Sequence, residues 1–207
     1  MISELENKDI NPNMFAKKIV ENHDLIYQYL DGLVSKNETY RYNCFKVLYL
    51  ISENKPDLLY THWNFFVNHL RSDNNYHKMS AVLIIANLTS VDTENRFEDV
   101  FDEFFENLKS KKTIVPIYVV KSSGKIVNSK PDFKGKITEL LLNIENIHSG
   151  KQIELVKAAV IESFSEFYEN AEKKEEILRF VKNQINSNSP KTRKSAKDFL
   201  TKWGESE

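Results

Sequence analysis

The chain has 207 residues, 41% hydrophobic and 29% charged, with a formal net charge of −1, the balance of an ordinary soluble protein built as one domain or one continuous repeat array. Only five Gly and five Pro are present, too few for the tight turns of a sheet protein, so long helices joined by short polar loops are expected. The single cysteine, Cys44, cannot form an internal disulfide, residues 1–6 show no basic stretch followed by an apolar run, and no segment approaches the ~18 uncharged apolar residues of a membrane span, so a cytoplasmic protein with no signal peptide and no membrane partner is expected.

Taken in chain order, residues 1–10 are expected to be a mobile tail. A weak helix pair follows, around 13–21 and 24–36, so that residues 1–38 form an N-terminal tail and capping helices. Arg41, Cys44, Phe45, Val47, Leu48 and Ile51 open a strongly apolar helix. Pro56-Asp57 then leads into a stripe of Leu59, Trp63, Phe66, Val67 and Leu70 at helical spacing, with Asp57 as its cap. Lys78, Ala81, Val82, Ile84, Ile85 and Leu88 form the next apolar helix. Asn95 is the expected cap for the stripe Phe97, Val100, Phe101, Phe104, Phe105 and Leu108. In the following helix Pro116 is tolerable in the first turn, and Ser122-Ser123-Gly124 interrupts the apolar face. Ile137, Leu140, Leu141 and Ile144 make a further stripe, then Lys157, Val160, Ile161, Phe164 and Phe167, then Ile177, Leu178, Val181 and Ile185. Ser189-Pro190 reads as a cap and first-turn pair before Arg193, Ala196, Phe199, Leu200 and Trp203, and residues 204–207 are expected to be a disordered tail.

These segments repeat. The stretch from Arg41 to Ile51 matches that from Lys78 to Leu88 at a shift of 37 residues: a base, a small residue three positions on, then apolar residues at helical spacing. Equivalent columns fall near 41, 78, 116, 157 and 193, with Pro116 in place of the base, and Lys55-Pro56-Asp57 recurs as Lys130-Pro131-Asp132. One helix pair cannot bury its apolar face alone, whereas stacked pairs make a continuous core. The expected fold is therefore all-α: an α-α superhelix, or solenoid, of about five helix pairs over residues 39–203, single-domain overall. The unit, with its Pro-Asp step between helices, resembles the HEAT and HEAT-like repeats of the armadillo-type fold. That resemblance implies that second helices near 57–71, 97–110, 134–147 and 174–187 line a concave face where partners bind.

Charge is uneven. Residues 1–107 carry 10 basic and 17 acidic side chains, and residues 108–207 carry 19 and 13, a polarity able to orient a charged partner. The candidate binding residues are the bases Lys173, Lys174, Arg179, Lys182, Lys191, Arg193 and Lys194, placed to neutralise phosphates although carboxylates are interleaved with them. Glu98, Asp99, Asp102, Glu103 and Glu106 read as a solvated acidic face or a docking strip for a basic partner. The recurring Arg41, Lys78, Lys157 and Arg193 are expected to cap carbonyls or pair neighbouring units. The five histidines are scattered and Cys44 has no evident base, so neither metal nor nucleophile is expected. No phosphate loop or Gly-x-Ser-x-Gly occurs, and no cofactor is expected. The reading is a non-enzymatic protein-interaction scaffold or adaptor. A second reading is nucleic-acid binding through the basic C-terminal half. A third, by fold-level likeness to the HEAT-like alkylpurine DNA glycosylases, is base excision, although the catalytic residues of those enzymes have no counterpart that can be placed on this chain.

Overall fold

The computed structural model describes residues 2–204; of the tail expected at 204–207, residues 205–207 lie outside the described residues. Every regular element among the described residues is helical, and no helix there is long and apolar enough to cross a membrane. The helices gather into two compact units, Met1–Arg96 and Phe97–Glu207.

In the first unit, α1 (Ile2–Leu5), α2 (Pro12–Glu21) and α3 (Leu25–Gly32) pack on α4 (Glu38–Asn54). The N-terminal segment, expected to be a mobile tail, is instead docked: Leu5 is fully buried and the Asn43 side chain donates to the carbonyls of Leu5 and Asn7, both at 2.8 Å. The second helix expected at 57–71 is broken into α5 (Asp57–Tyr60) and α6 (Trp63–Leu70), and Asp57 begins α5 rather than capping it. The next helix, α7 (Asn75–Leu88), is buried around nearly its whole circumference from Ser80 onward, as a helix with apolar residues on all sides must be. Its Asn87 Nδ2 reaches α4 through a 2.8 Å hydrogen bond to Ser52 Oγ.

In the second unit, α8 (Arg96–Glu106) runs into a 3-10 turn and is followed by α9 (Ile114–Ser129), α10 (Lys134–Leu142), α11 (Ile144–Ile147), α12 (Ile153–Phe167), α13 (Lys174–Lys182) and α14 (Pro190–Trp203). The centre is α12, packed between α9 and α14. Asn95 does not provide the expected cap to α8. The Arg96 N–H is taken by Asp92 Oδ1 at 2.9 Å, and Asn95 sits at φ 55°, a left-handed conformation that Asn tolerates better than most residues. The Ser122-Ser123-Gly124 stretch does not break α9. Ser123 Oγ donates to Val119 O within the helix, and the three small residues are buried. A Cβ on Gly124 would lie 2.7 Å from Glu166 Cδ and 2.9 Å from Glu166 Cβ, so it is the close approach of α12 that uses this glycine.

A turn recurs before three of the apolar helices. Ser35, Ser72 and Ser187 each accept, through Oγ, the N–H two residues on, at 3.2, 3.1 and 3.1 Å. The residue two after each serine is the helix N-cap: Asn37 accepts from Tyr40 N, Asn74 from Tyr76 N and Ser189 from Thr192 N. Six residues after the serine stands the recurring base. The Arg41 guanidinium donates to Ser35 O at 2.7 Å, and that of Arg193 to Ser187 O at 2.6 Å. A fourth copy is partial: Ser110 Oγ accepts Lys112 N at 3.4 Å, and Pro116 stands where the base would be. In the copy at Lys157 the ammonium instead pairs with Glu145 and Glu154, binding α11 to α12.

Candidate functional site

The second unit carries a trough of about 550 Å³. One wall comes from α8 and the turn after it: Phe101, Asp102, Phe105, Glu106 and Lys109. These positions are a helical stripe, repeating at four residues, and at 1.5 Å per residue they run about 12 Å along the axis. The opposite wall, Lys136, Glu139, Leu140, Asn143 and Ile147, is a matching stripe on α10 and α11. The floor is apolar because α8 carries more phenylalanine than one core needs. Phe97 and Phe104 are fully buried, and Phe101 and Phe105, on the edge of the same stripe, are buried too, tilting against each other at 4.8 Å beneath the trough. Phe133 stacks on Phe101 at 4.7 Å and an interplanar angle of 13°, fixing that ring.

Charges edge the trough in order. Glu98, Asp102 and Glu106 are exposed along α8 at intervals of four, where like charges repel. Glu106 is offset by Lys109 at 2.7 Å, whereas Asp102 has no ion-pair partner among the described residues. On the other wall Glu139 is held by Lys173 at 3.0 Å, and that hydrogen bond raises the Lys173 pKa. Lys136 lies over the rings of Phe101 and Phe133, at 5.6 and 6.0 Å.

The basic residues expected to bind are not brought together as one patch. Lys173 is paired with Glu139 and Glu176, Lys191 with Glu162 at 3.6 Å, and Lys194 with Asp198 at 2.5 Å. Arg193 is spent on the turn carbonyl of Ser187, and Lys174 lies over the Tyr168 ring at 5.7 Å. Arg179 and Lys182 do stand together, exposed on α13, edging a shallow hollow with Glu175, Leu178 and Asn183. The trough was legible only in part. Phe101, Phe105 and Leu140 belong to recognisable apolar stripes, but nothing in periodicity alone says that Phe101 and Phe105, themselves buried, border a concavity or that Lys136 and Asn143 stand opposite.

The histidines find separate partners. His62 meets the edge of Tyr27 at 5.2 Å, and His148 Nδ1 donates to Leu108 O at 3.1 Å. His69 stacks on Phe65 at 4.2 Å and lies 4.8 Å from His77. Burial lowers the pKa of both members of that pair, and the nearby Arg41 charge lowers His77 further. Cys44 is fully buried beside Gly32, and burial pushes its thiol up to about 11.

No family model matches the chain, and no curated protein matches it. The trough's own geometry therefore carries the functional argument. Two facing helical stripes with charged residues at their rims suit the face of a polypeptide segment, whereas small-molecule sites depend on a few polar groups converging on one point.

Proposed function

We propose that this chain is a non-enzymatic protein-interaction scaffold built as a solenoid of HEAT-like helix pairs, and that the trough between α8 and α10–α11 is one of its docking surfaces. The observation that carries this reading is the trough itself, which runs along about 12 Å of α8 with the half-buried Leu140 and Ile147 on its facing wall. The repeat is supported by the serine and cap turn recurring at 35, 72 and 187 with the same hydrogen bonds, and by the base that closes it at 35 and 187. The partner-facing role of the second helices follows from the resemblance, and α8 and α10 are such helices. Against nucleic-acid binding weigh the carboxylates that already pair with Lys173, Lys191 and Lys194.

The test is capture of partners by the tagged full chain, crosslinked in lysate and divided into nuclease-treated and untreated halves. A protein recovered in both halves, and lost when Leu140→Glu places a charge in the trough, is the expected outcome. Partners that vanish with nuclease would transfer the function to nucleic acid and to Arg179 and Lys182. A turnover abolished by mutating clustered residues would overturn the non-enzymatic reading.

A further inference from the structure

We infer that the turn between α6 and α7 is an acid-sensitive hinge, closed while the imidazoles of His69 and His77 are neutral and opened when they take up protons. The hinge lies in the first unit and owes nothing to the trough.

The turn at Ser72 is built like those at Ser35 and Ser187 but closed differently. In those two an arginine reaches back to the serine carbonyl, and a guanidinium keeps its charge at any pH a folded protein meets. At Ser72 the side chain that returns to the serine is an imidazole: His77 Nδ1 lies 3.1 Å from Ser72 Oγ, the oxygen that also accepts Asn74 N. The His77 ring lies 4.8 Å from that of His69, so the last turn of α6 and the first turn of α7 meet through two titratable rings. His69 is only 9% exposed and stacks on Phe65. Its Nδ1 donates to Phe65 O at 2.9 Å, which leaves the lone pair on Nε2, and that nitrogen is buried with no hydrogen-bond partner among the described residues.

A neutral pair suits this setting and a charged pair does not. A proton on His69 Nε2 would place a cation and an unsatisfied N–H in a buried site. The surrounding charges offer no relief. Burial, His69 and the Arg41 guanidinium from α4 all hold His77 below its usual range, and burial does the same for His69. No charge from α5, which also packs on α7, acts on either ring. In the turn itself Arg71 and Asp73 are exposed, Lys78 follows on α7, and neither imidazole forms an ion pair among the described residues. Opening the turn lets both rings reach water, so protons favour the open form. Because α6 packs on α7, opening also uncovers the buried Phe66, Val67 and Leu70 of α6.

The experiment is amide hydrogen exchange on the full chain at about pH 7.5 and about pH 5, read peptide by peptide by mass spectrometry, with each rate divided by the intrinsic rate at that pH. Peptides within 64–80 are expected to lose protection at least about fivefold at the lower pH. Those over α2 and α3, and over the arginine-closed turn at Ser187, are expected to change less than about twofold. His69→Phe keeps a ring against Phe65 and His77→Gln keeps a polar group for Ser72. With the fold checked by circular dichroism, each is expected to shrink the loss and the double variant to abolish it. The unaltered chain gives a second reading: the midpoint of the protection loss is expected to coincide with the imidazole titration seen by proton NMR. Equal loss over α2 and α3 would overturn the hinge, since the whole unit would then be unfolding. No loss at the lower pH, a loss undiminished in the double variant, or a midpoint separate from the ring titration would overturn the role of the imidazoles.

Discussion

At the residue scale, the recurring base is a structural device, and its worth can be measured. Arg41 and Arg193 each place a guanidinium on the carbonyl six residues earlier and so close the turn that launches an apolar helix. Hydrogen bonds from charged donors contribute about 1.5–3 kcal/mol when well shielded, and these two are only half-buried. Arg193→Met is therefore expected to lower unfolding stability by about 1 kcal/mol, read as the midpoint of a urea transition, and a change within error would show that the turn closes without it. Cys44 gives a second expectation. With its thiol fully buried and its pKa near 11, it should resist a thiol-specific reagent at neutral pH until denaturant is added, whereas prompt labelling would mean that α3 and α4 separate readily. A third concerns the imidazoles of His69 and His77, 4.8 Å apart, with His69 Nε2 buried and lacking a hydrogen-bond partner among the described residues. Their folded pKa values lie below the ordinary 6.5, so the unfolded chain takes up protons first. Stability is full above that value and falls as the pH drops through it. Denaturation at pH near 7.5 and near 5 should show the loss, and His69→Phe, which keeps a ring against Phe65, should reduce it.

At the element scale, α9 shows how a stretch that looks like an interruption becomes a contact. Ser122, Ser123 and Gly124 are all buried in α9, and Gly124 lies where α9 meets α12. They lower helix propensity, yet their size lets the two helices close, and the packing gained outweighs the local cost. Gly124→Ala therefore works against propensity. Alanine is the better helix former, but its Cβ would press on the base of the Glu166 side chain, which cannot swing away as its carboxylate can. A loss of about 1–3 kcal/mol is expected, and a stabilised variant would show that α12 shifts freely. The α8 stripe makes the opposite expectation. Asp102 lies between Glu98 and Glu106 with no ion-pair partner among the described residues, so Asp102→Asn should leave stability unchanged or raise it by a few tenths of a kcal/mol in the chain alone.

At the scale of the whole molecule, the units redistribute the charge that the linear halves suggest. Residues 1–96 carry ten basic and twelve acidic side chains, and residues 97–207 carry nineteen and eighteen, so each unit is close to neutral. The apparent polarity of the chain arises because the acidic α8, which sits beside the midpoint in sequence, belongs to the same unit as the basic C-terminal helices. The negative pole is therefore one helix face at the trough rather than half a protein.

The sequence by itself determined the helical class, the spacing of the helices and most of their buried residues, because those depend on the 3.6-residue period and on small residues at fixed places: Cys44, Ala81 and Ala196 are all fully buried. It also pointed to a structural role for Arg41 and Arg193, since a base recurring at one position of a repeat has a recurring job. Tertiary structure alone decided which apolar residues border a concavity. Phe97 and Phe101 are four apart on one stripe and both are buried, and only the position of α10 brings the second to the edge of the trough. It also decided which charges are spent. The seven candidate bases look alike in the chain, but their partners Glu139, Glu162 and Asp198 are chosen by packing, and pairs as distant as Glu139 with Lys173 have no local signature. Periodicity reports which way a residue faces on its own helix, whereas a site depends on what stands opposite, and that is set only when the helices pack.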